Sequence, residues 1–419
     1  VKAFLIFTLL FAQAVAAEQV SSLMSVLEMG ERQSPRLKTE EHREQAAAER
    51  VRVEKSSYMP ELDAAAIAST GDPGSFALLG VDNNISSSQR IGAGGALILK
   101  QDIWDFGRTE GNVHEAKAQR EIAHKQIAVT RQDVDRELLH TYIDCAYLKE
   151  QVADSREIAQ LTHLISRETD RFVRSGQRSV IERYLVDAEA QAADTRIAEF
   201  SDRVTVIEKR LGIEAGAPSA LHCGDLKSID TELRTIEMDH GATPLLEIEK
   251  KRVAYAEARL DRAKADHMPQ IVALATGGYF DNVQTRDRMN YAAGVGVTLP
   301  LFEGFRVDAS VQSEKAGVQA AKASLSSLEQ LLNATNSKYD EQTSSLNVRL
   351  KSLGTEYKIA KQALTLARKR YSSLQGTMVD LRESIKNMTR VTESLAASNR
   401  ELFLARGEKA LLNGSRNKE

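Results

Sequence analysis

Residues 34–62, SPRLKTEEHREQAAAERVRVEKSSYMPEL, align without a gap with residues 243–271, TPLLEIEKKRVAYAEARLDRAKADHMPQI. Nine positions are identical, among them Pro35 with Pro244, Leu37 with Leu246, Met59 with Met268 and Pro60 with Pro269. A second match sets DIWDFGR (102–108) against PLFEGFR (300–306) at an offset of 198. A third sets RFVRSGQRSV (171–180) against RYSSLQGTMV (370–379) at an offset of 199. The parts run in the same order in both halves, so the fold of one half must be built again by the other. The first half carries 11 more residues between its Met-Pro and its aromatic motif, which reads as a longer first loop at 70–89.

Seven prolines, at 35, 60, 73, 218, 244, 269 and 300, leave 74–217 and 301–419 free of that helix breaker. Charged residues make up 27% of the chain and aromatics only 5%, a balance that suits long solvent-flanked helices. Each half is expected to open with an amphipathic helix, roughly 20–57 and 244–266. The Met-Pro then stops it, because the residue before proline avoids the helical region and proline has no N–H to donate.

Strand character follows. In YAAGVGVTLPLF (291–302) the odd positions are Tyr291, Ala293, Val295, Val297, Leu299 and Leu301, while Ala292, Gly294, Gly296 and Thr298 are small. RIGAGGALILKQDIW (90–104) puts Ile91, Ala93, Leu97 and Leu99 on one face. Such alternation, apolar outside and small inside, is how a membrane barrel strand reads. Further strands are expected near 61–70 and 270–280, with turns over 70–89 and 281–290, so each half holds one hairpin. Four strands cannot close a barrel, since membrane barrels begin at eight; three chains would supply twelve. Trp104, Phe106, Phe302 and Phe305 cluster where strand gives way to helix, a pattern that fits an interfacial aromatic girdle.

Each hairpin leads into helix. Leu346, Leu350, Leu353, Tyr357, Ala360, Leu364, Ala367, Tyr371 and Leu374 alternate spacings of four and three, which is a coiled-coil seam. Leu381, Ile385, Met388, Val391, Leu395, Leu402 and Ala405 continue a similar stripe, so an antiparallel helical hairpin should turn near 374–377. The first half does the same around RSGQRS (174–179). Its inbound helix, about 109–174, would run ~100 Å at 1.5 Å per residue.

VKAFLIFTLLFAQAVAA (1–17) has the basic start, apolar centre and small residues of a secretory signal peptide. No later stretch approaches 18 consecutive apolar residues, so any membrane is to be entered by strands. Cys145 and Cys223 fit no metal or redox spacing; Cys145 reads as a small buried thiol, and pairing is the less favoured alternative. A net charge of −3 gives no basic footprint for nucleic acid. WDFG (104–107) has no kinase catalytic loop, GAGG (92–95) no following helix, and the eight histidines no paired metal spacing. No enzyme activity, cofactor or resident metal is therefore expected.

The duplicated Pro-x-Leu…Met-Pro, the strand pair ending in LPLFEGFR and the helical hairpins resemble the TolC-like outer-membrane efflux proteins. The resemblance covers nearly the whole chain after the signal peptide. It implies a mixed α and β membrane fold: four strands per chain in a homotrimeric twelve-stranded barrel, with long antiparallel helices forming a periplasmic α-helical barrel. It implies a passive exit duct of a tripartite efflux or type I secretion system in outer-membrane lipid, with a periplasmic adaptor and an inner-membrane transporter (ABC, RND or MFS type) as partners. The expected parts are a first repeat at 18–216, a linker at 217–243, a second repeat at 244–412 and a tail at 413–419. Asp380 and Glu383 fall where the family places acidic gate rings, against the plainer reading of a solvated helix face; Glu182 and Tyr371 match further tip residues. Gly176 and Gly376 mark the tips expected to meet the adaptor. Gly376 stands where family members carry a latching Arg, which puts an Arg latch in doubt. The readings set against the channel are a periplasmic coiled-coil adaptor or a structural protein without a pore.

Overall fold

The computed structural model describes residues 20–69, 92–237, 243–282 and 285–413. The signal-peptide reading and the first loop at 70–89 lie outside the described residues. Among the described residues fourteen elements follow one another: β1 (Val20–Ser21), α1 (Leu23–Gln33), α2 (Pro35–Ser56), β2 (Glu61–Ser69), β3 (Gly92–Trp104), α3 (Arg108–Arg174) and α4 (Val180–Ala215). Then come β4 (His222–Cys223), α5 (Leu226–Glu237), α6 (Pro244–Ala265), β5 (Gln270–Asn282), β6 (Thr285–Thr298), α7 (Arg306–Ser372) and α8 (Met378–Asn413).

The duplication is visible element by element. α2 and α6 are both 22 residues long, α3 and α7 both 67, α4 and α8 both 36. From α3 onward the start and end of each element differ from those of its counterpart by 198. The tip alignment at offset 199 is therefore corrected by one residue: Arg178 corresponds to Gly376, Val173 to Tyr371, and Glu182 to Asp380. Three other expectations shift. The first helix is broken at Ser34, where Pro35 restricts the residue before it and the Ser34 N–H closes α1 on the Gly30 carbonyl at 2.9 Å. Strand reaches into the segment read as a turn, with β5 running to Asn282 and β6 starting at Thr285. Finally, β6 ends at Thr298, before Pro300, rather than continuing to Phe302.

The chain divides into two units. One comprises Arg36–Thr130 and Pro244–Leu332. It holds a four-stranded antiparallel sheet in the order β2-β3-β5-β6. The register places Leu62, Leu99, Ala275 and Ala293 in one row, and Ala64, Leu97, Gly277 and Tyr291 in the next on the same face. Ile271, Ala273, Val295 and Val297 continue that face. Tyrosine hydroxyls aside, Gln101 is its one polar side chain among residues 61–66, 94–102, 271–279 and 291–298. The opposite face carries Glu61, Asp63, Lys100 and Asp102 among small residues such as Gly94, Ala96, Gly294 and Gly296. Tyr291 is 89% exposed. β2 and β6 each pair on one side only among the described residues.

Both strand-to-helix junctions of this unit turn through two consecutive left-handed residues. These are Phe106 (φ 52°) and Gly107 (φ 94°) before α3, and Gly304 (φ 61°) and Phe305 (φ 62°) before α7. A phenylalanine in that region costs roughly 1–2 kcal/mol, and each ring has an edge-on aromatic neighbour: Trp104 with Phe106 at 6.0 Å, Phe302 with Phe305 at 5.5 Å. All four rings are exposed. Below the first junction Arg108 donates to Asp266 (3.0 Å) and Gln270 (3.2 Å), joining the start of α3 to the turn that follows α6.

The other unit comprises Val1–Pro35, Arg131–Thr243 and Asn333–Glu419. One of its cores gathers Leu23 and Leu27 of α1, Leu138, Leu139 and Tyr142 of α3, Leu211 of α4, Ile229 and Leu233 of α5, and Phe403 of α8. A Cβ on Gly407 would lie 2.4 Å from Leu139 Cδ2, so α8 needs glycine there to approach α3. Tyr142 is fully buried; its hydroxyl donates to the Ser21 carbonyl (2.8 Å) and accepts from the Gly224 N–H (3.0 Å), which secures the parallel β1–β4 pair. Cys145 is not a free thiol. It is joined to Cys223 by a disulfide across a Cα–Cα distance of 6.2 Å. Folding brings β4 against α3, a proximity that a sequence separation of 78 hid. A second core, toward the α3–α4 and α7–α8 turns, collects Ile165, Val186, Ala360, Leu364, Tyr371, Leu381, Ile385, Met388 and Val391. Most of the anticipated seam is thus packed, while Leu374 is exposed in the turn.

Closing the loop between Cys145 and Cys223 constrains the unfolded chain by about 4.5 kcal/mol in the chain-entropy account. Cys145→Ser with Cys223→Ser should therefore melt clearly below wild type; equal melting temperatures would show the crosslink to be dispensable. Asp154, on α3, has its carboxyl pushed up from 3.8 to about 6, by burial first and then by Glu150 and Glu157. Its neutral form favours the fold, so this contribution is present below about pH 4 and lost as pH rises through about 6. Asp154→Asn should melt above wild type at neutral pH and level with it near pH 4, read by a pH series of melting curves; parallel curves would refute the assignment.

Candidate functional site

The two helical turns, 175–179 and 373–377, are built alike. Gly176 (φ 72°) and Leu374 (φ 64°) occupy matching left-handed positions, one exposed glycine and one leucine. Phe172 O accepts from the N–H groups of Gln177 and Arg178, as Arg370 O does from Gln375 and Gly376. Ser179 caps α4, accepting from the Ile181 N–H at 3.3 Å. Thr377 caps α8 reciprocally with Asp380: the Asp380 N–H reaches Thr377 Oγ1 at 3.1 Å and the Thr377 N–H reaches Asp380 Oδ2 at 3.4 Å. Both helices thus begin S-x-x-E or T-x-x-D, an acid in the first turn where the helix dipole favours it.

Between the turns, two of the expected gate residues meet. Tyr371 is 0% exposed. Its hydroxyl donates to Glu182 Oε2 at 2.9 Å and lies 3.2 Å from Thr169 Oγ1. The Arg178 guanidinium sits 4.6 Å from the centre of the Tyr371 ring. The same guanidinium donates to the carbonyls of Gly376 (2.8 Å) and Tyr371 (3.3 Å) and lies 3.7 Å from Glu182 Oε1. Phe172 adds an edge-on ring contact at 6.5 Å. Burial, then the neighbouring Glu182 carboxylate, pushes the Tyr371 phenol up to about 12, against a lowering effect of the Thr169 hydrogen bond. Tyr371 therefore remains a neutral donor over the whole physiological range. A hydrogen bond to a charged partner contributes about 1.5–3 kcal/mol, and a desolvated cation–π contact about 2. Ion pairs Arg368–Glu168 (3.1 Å) and Arg382–Glu189 (2.8 Å) also tie the α3–α4 hairpin to the α7–α8 hairpin.

Glu182 and Tyr371 are thus bonded to each other. Asp380 and Glu383 stand exposed on α8, Asp380 engaged in its own helix cap. Gly176 is exposed, but Gly376 is buried, and a Cβ on it would lie 3.0 Å from Tyr371 N and 3.1 Å from Arg370 Cβ. The doubt about an Arg contact at this turn has a specific answer. An arginine is present, contributed by the other hairpin as Arg178. Sequence reasoning missed it, together with Thr169, because the one-residue slip in the repeat alignment set Arg178 opposite Thr377 instead of Gly376. The four aromatics Trp104, Phe106, Phe302 and Phe305 fall in the other unit, at its two left-handed junctions.

Comparison with known proteins accords with this architecture. VceC of Vibrio cholerae, an outer membrane protein, superposes with a TM-score of 0.76 at 17% identity, over 94% of this chain and 97% of that one. The CmeC outer membrane channel of Campylobacter jejuni gives 0.75 at 15% identity, over 95% and 87%. The MtrE outer membrane channel of Neisseria gonorrhoeae gives 0.74 at 16%, over 95% and 90%. Protein CyaE of Bordetella pertussis is 24% identical over 268 residues, 59% of this chain and 52% of that protein, so the match spans about half of the relative's length. The sequence profile described as "Outer membrane efflux protein" matches residues 26–212 and 243–402, most of the chain. The chain belongs to the outer membrane efflux protein family.

Proposed function

We propose that three copies of this chain join their sheets edge to edge into a twelve-stranded barrel in the outer membrane, and their long helices into a helical conduit in the periplasm. The observation that carries this reading is the sheet itself. One face is apolar and lacks charge from the Ile271 end to Tyr291, the other bears Glu61, Asp63, Lys100 and Asp102, and both edge strands have a side left to pair. An apolar face toward lipid and a polar face toward a lumen is the barrel arrangement, and closure removes the edges. Self-association is further supported by large apolar side chains exposed on α4 (Ile181, Tyr184, Val206, Ile213) and on α7 (Leu331, Val348, Ile359, Leu366). No described helix is long and apolar enough to cross a membrane. The conduit serves as the passive exit of a tripartite efflux or type I secretion system, receiving cargo through a periplasmic adaptor and an inner-membrane transporter. Trp104, Phe106, Phe302 and Phe305 act as the interfacial girdle.

In this reading the helix turns form the periplasmic gate. The Arg178–Tyr371–Glu182 contact holds the two hairpins together in the closed form, Asp380 and Glu383 form acidic rings at the entrance, and the exposed turn around Gly176 meets the adaptor, with Gly376 serving through its carbonyl.

Fractionation and gel analysis test the assembly: the protein should partition with outer membranes as a detergent-resistant trimer and conduct ions in planar bilayers. A soluble periplasmic monomer would sink the proposal. The gate is tested separately in the same bilayers. Arg178→Ala with Tyr371→Phe should raise the open fraction by about tenfold or more, the equivalent of one lost charged hydrogen bond. Asp380→Asn with Glu383→Gln should lower cation preference. Unchanged gating and selectivity would remove the turns from the gate.

A further inference from the structure

Away from the helix turns, Cys145 of α3, Cys223 of β4 and Glu208 of α4 are all buried, and one ligand atom from each lies within 4.8 Å of the other two. We propose that, with the disulfide open, these three side chains form a site for one thiophilic divalent ion such as zinc, so that the ion and the disulfide are alternative occupants of one sulfur pair.

Two thiolates and a carboxylate suit zinc, whose tetrahedral sites take sulfur at about 2.3 Å and carboxylate oxygen at about 2.0–2.2 Å, the fourth position going to a water. Two such bonds set the sulfurs about 3.8 Å apart, a separation that side-chain rotation can reach from backbones whose Cα atoms are 6.2 Å apart. The carboxylate is already oriented. His222 Nδ1 lies 3.0 Å from Glu208 Oε2, the kind of outer partner that fixes a ligating group. Lys149 Nζ lies 2.9 Å from Glu208 Oε1 and donates to the Cys223 carbonyl at 2.8 Å. Its ammonium balances the Glu208 charge while no ion is bound, and it can swing to solvent on its four-carbon stem when the ion enters.

The chemistry balances with a phosphine as reductant. Phosphorus gives two electrons to the disulfide and leaves as the phosphine oxide, with water supplying the oxygen and the two protons that make the thiols. The ion then displaces those protons as two metal–sulfur bonds form. A newly made chain needs no reductant, since its thiols have yet to be oxidised. In that chain a bound ion would shield both sulfurs from oxidation.

The test uses the full-length protein in detergent, reduced with a phosphine, freed of it, and titrated with cadmium ion as the probe and zinc ion as competitor. One cadmium per chain, a sulfur-to-cadmium absorption band abolished by zinc, and protection of two thiols from alkylation are expected. The unreduced protein should give no band. Glu208→Gln and His222→Ala should each weaken binding by about tenfold or more, with melting curves of the oxidised variants confirming their fold. If Glu208→Gln does not fold, His222→Ala and Cys145→Ser carry the comparison. Absence of the band in reduced wild type, a band in the unreduced protein, or variants that bind as wild type does would overturn the proposal.

Discussion

A β-sheet edge is a row of backbone donors and acceptors that must find partners, and among the described residues β2 and β6 each leave such a row. In water the row can be solvated. In hydrocarbon each unpaired group costs several kcal/mol, so a strand-built membrane structure has to close. The rest of the chain is consistent with that requirement. Two hairpins place four strands side by side, the small residues Gly94, Gly294 and Gly296 share the charged face, and the Leu62–Leu99–Ala275–Ala293 row keeps the other face apolar. Duplication doubled the strand number within one chain but left it short of the eight at which barrels begin. Membership of the outer membrane efflux protein family and the edge chemistry therefore point the same way, toward self-association.

Much of this was legible because it depends on local rules. α2 and α6 stop just ahead of the Met-Pro phrase, period-two alternation marks β6, and the four-three spacing of Leu346 to Tyr371 marks a face of α7 that is packed. What escaped depended on long-range geometry or on a small slip. The Cys145–Cys223 bond joins residues that only the packing of β4 on α3 brings together. The extra strand residues Thr285–Asn290, TRDRMN, are polar or charged except for Met289, so hydropathy offers no alternation to read there, and pairing with β5 decides their state. Arg178 was hidden by a one-residue error in aligning two turns with little identity, which backbone geometry corrects through the matched positive φ of Gly176 and Leu374.

The corrected register shows how a duplicated turn came to hold an asymmetric contact. Val173 in the first turn corresponds to Tyr371 in the second, so only one hairpin offers a phenol. Arg178 corresponds to Gly376, so only the other offers a guanidinium, and the glycine leaves its carbonyl open to that guanidinium. Glu182 corresponds to Asp380. With Tyr371 in reach Glu182 accepts from the phenol, whereas Asp380, with the equivalent phenol position occupied by valine, turns back to cap its own helix. Two copies of one motif have become unlike halves of a single clasp, each both donating and accepting across it.

The magnitudes of the two kinds of crosslink in this unit separate their roles. The disulfide and the core around Tyr142 lie among α1, α3, α4, α5 and β4, and they hold elements whose burial is nearly complete. A covalent bond of this kind does not open in response to a docking partner. The clasp at the turns is different. One charged hydrogen bond and one cation–π contact sum to roughly 3–5 kcal/mol per chain before solvent exposure is discounted, a size that the binding of another protein can offset. In the proposed gate, motion is confined to the clasp itself, because away from the turns Ile165 and Val186 of one hairpin share a core with Leu364, Leu381 and Ile385 of the other, and around the disulfide separation would expose the first core. A gate built at the clasp can open without unfolding either hairpin. In the proposed opening Tyr371 parts from Arg178 and Glu182, while the contact between Arg178 and Glu182 stays within the α3–α4 hairpin.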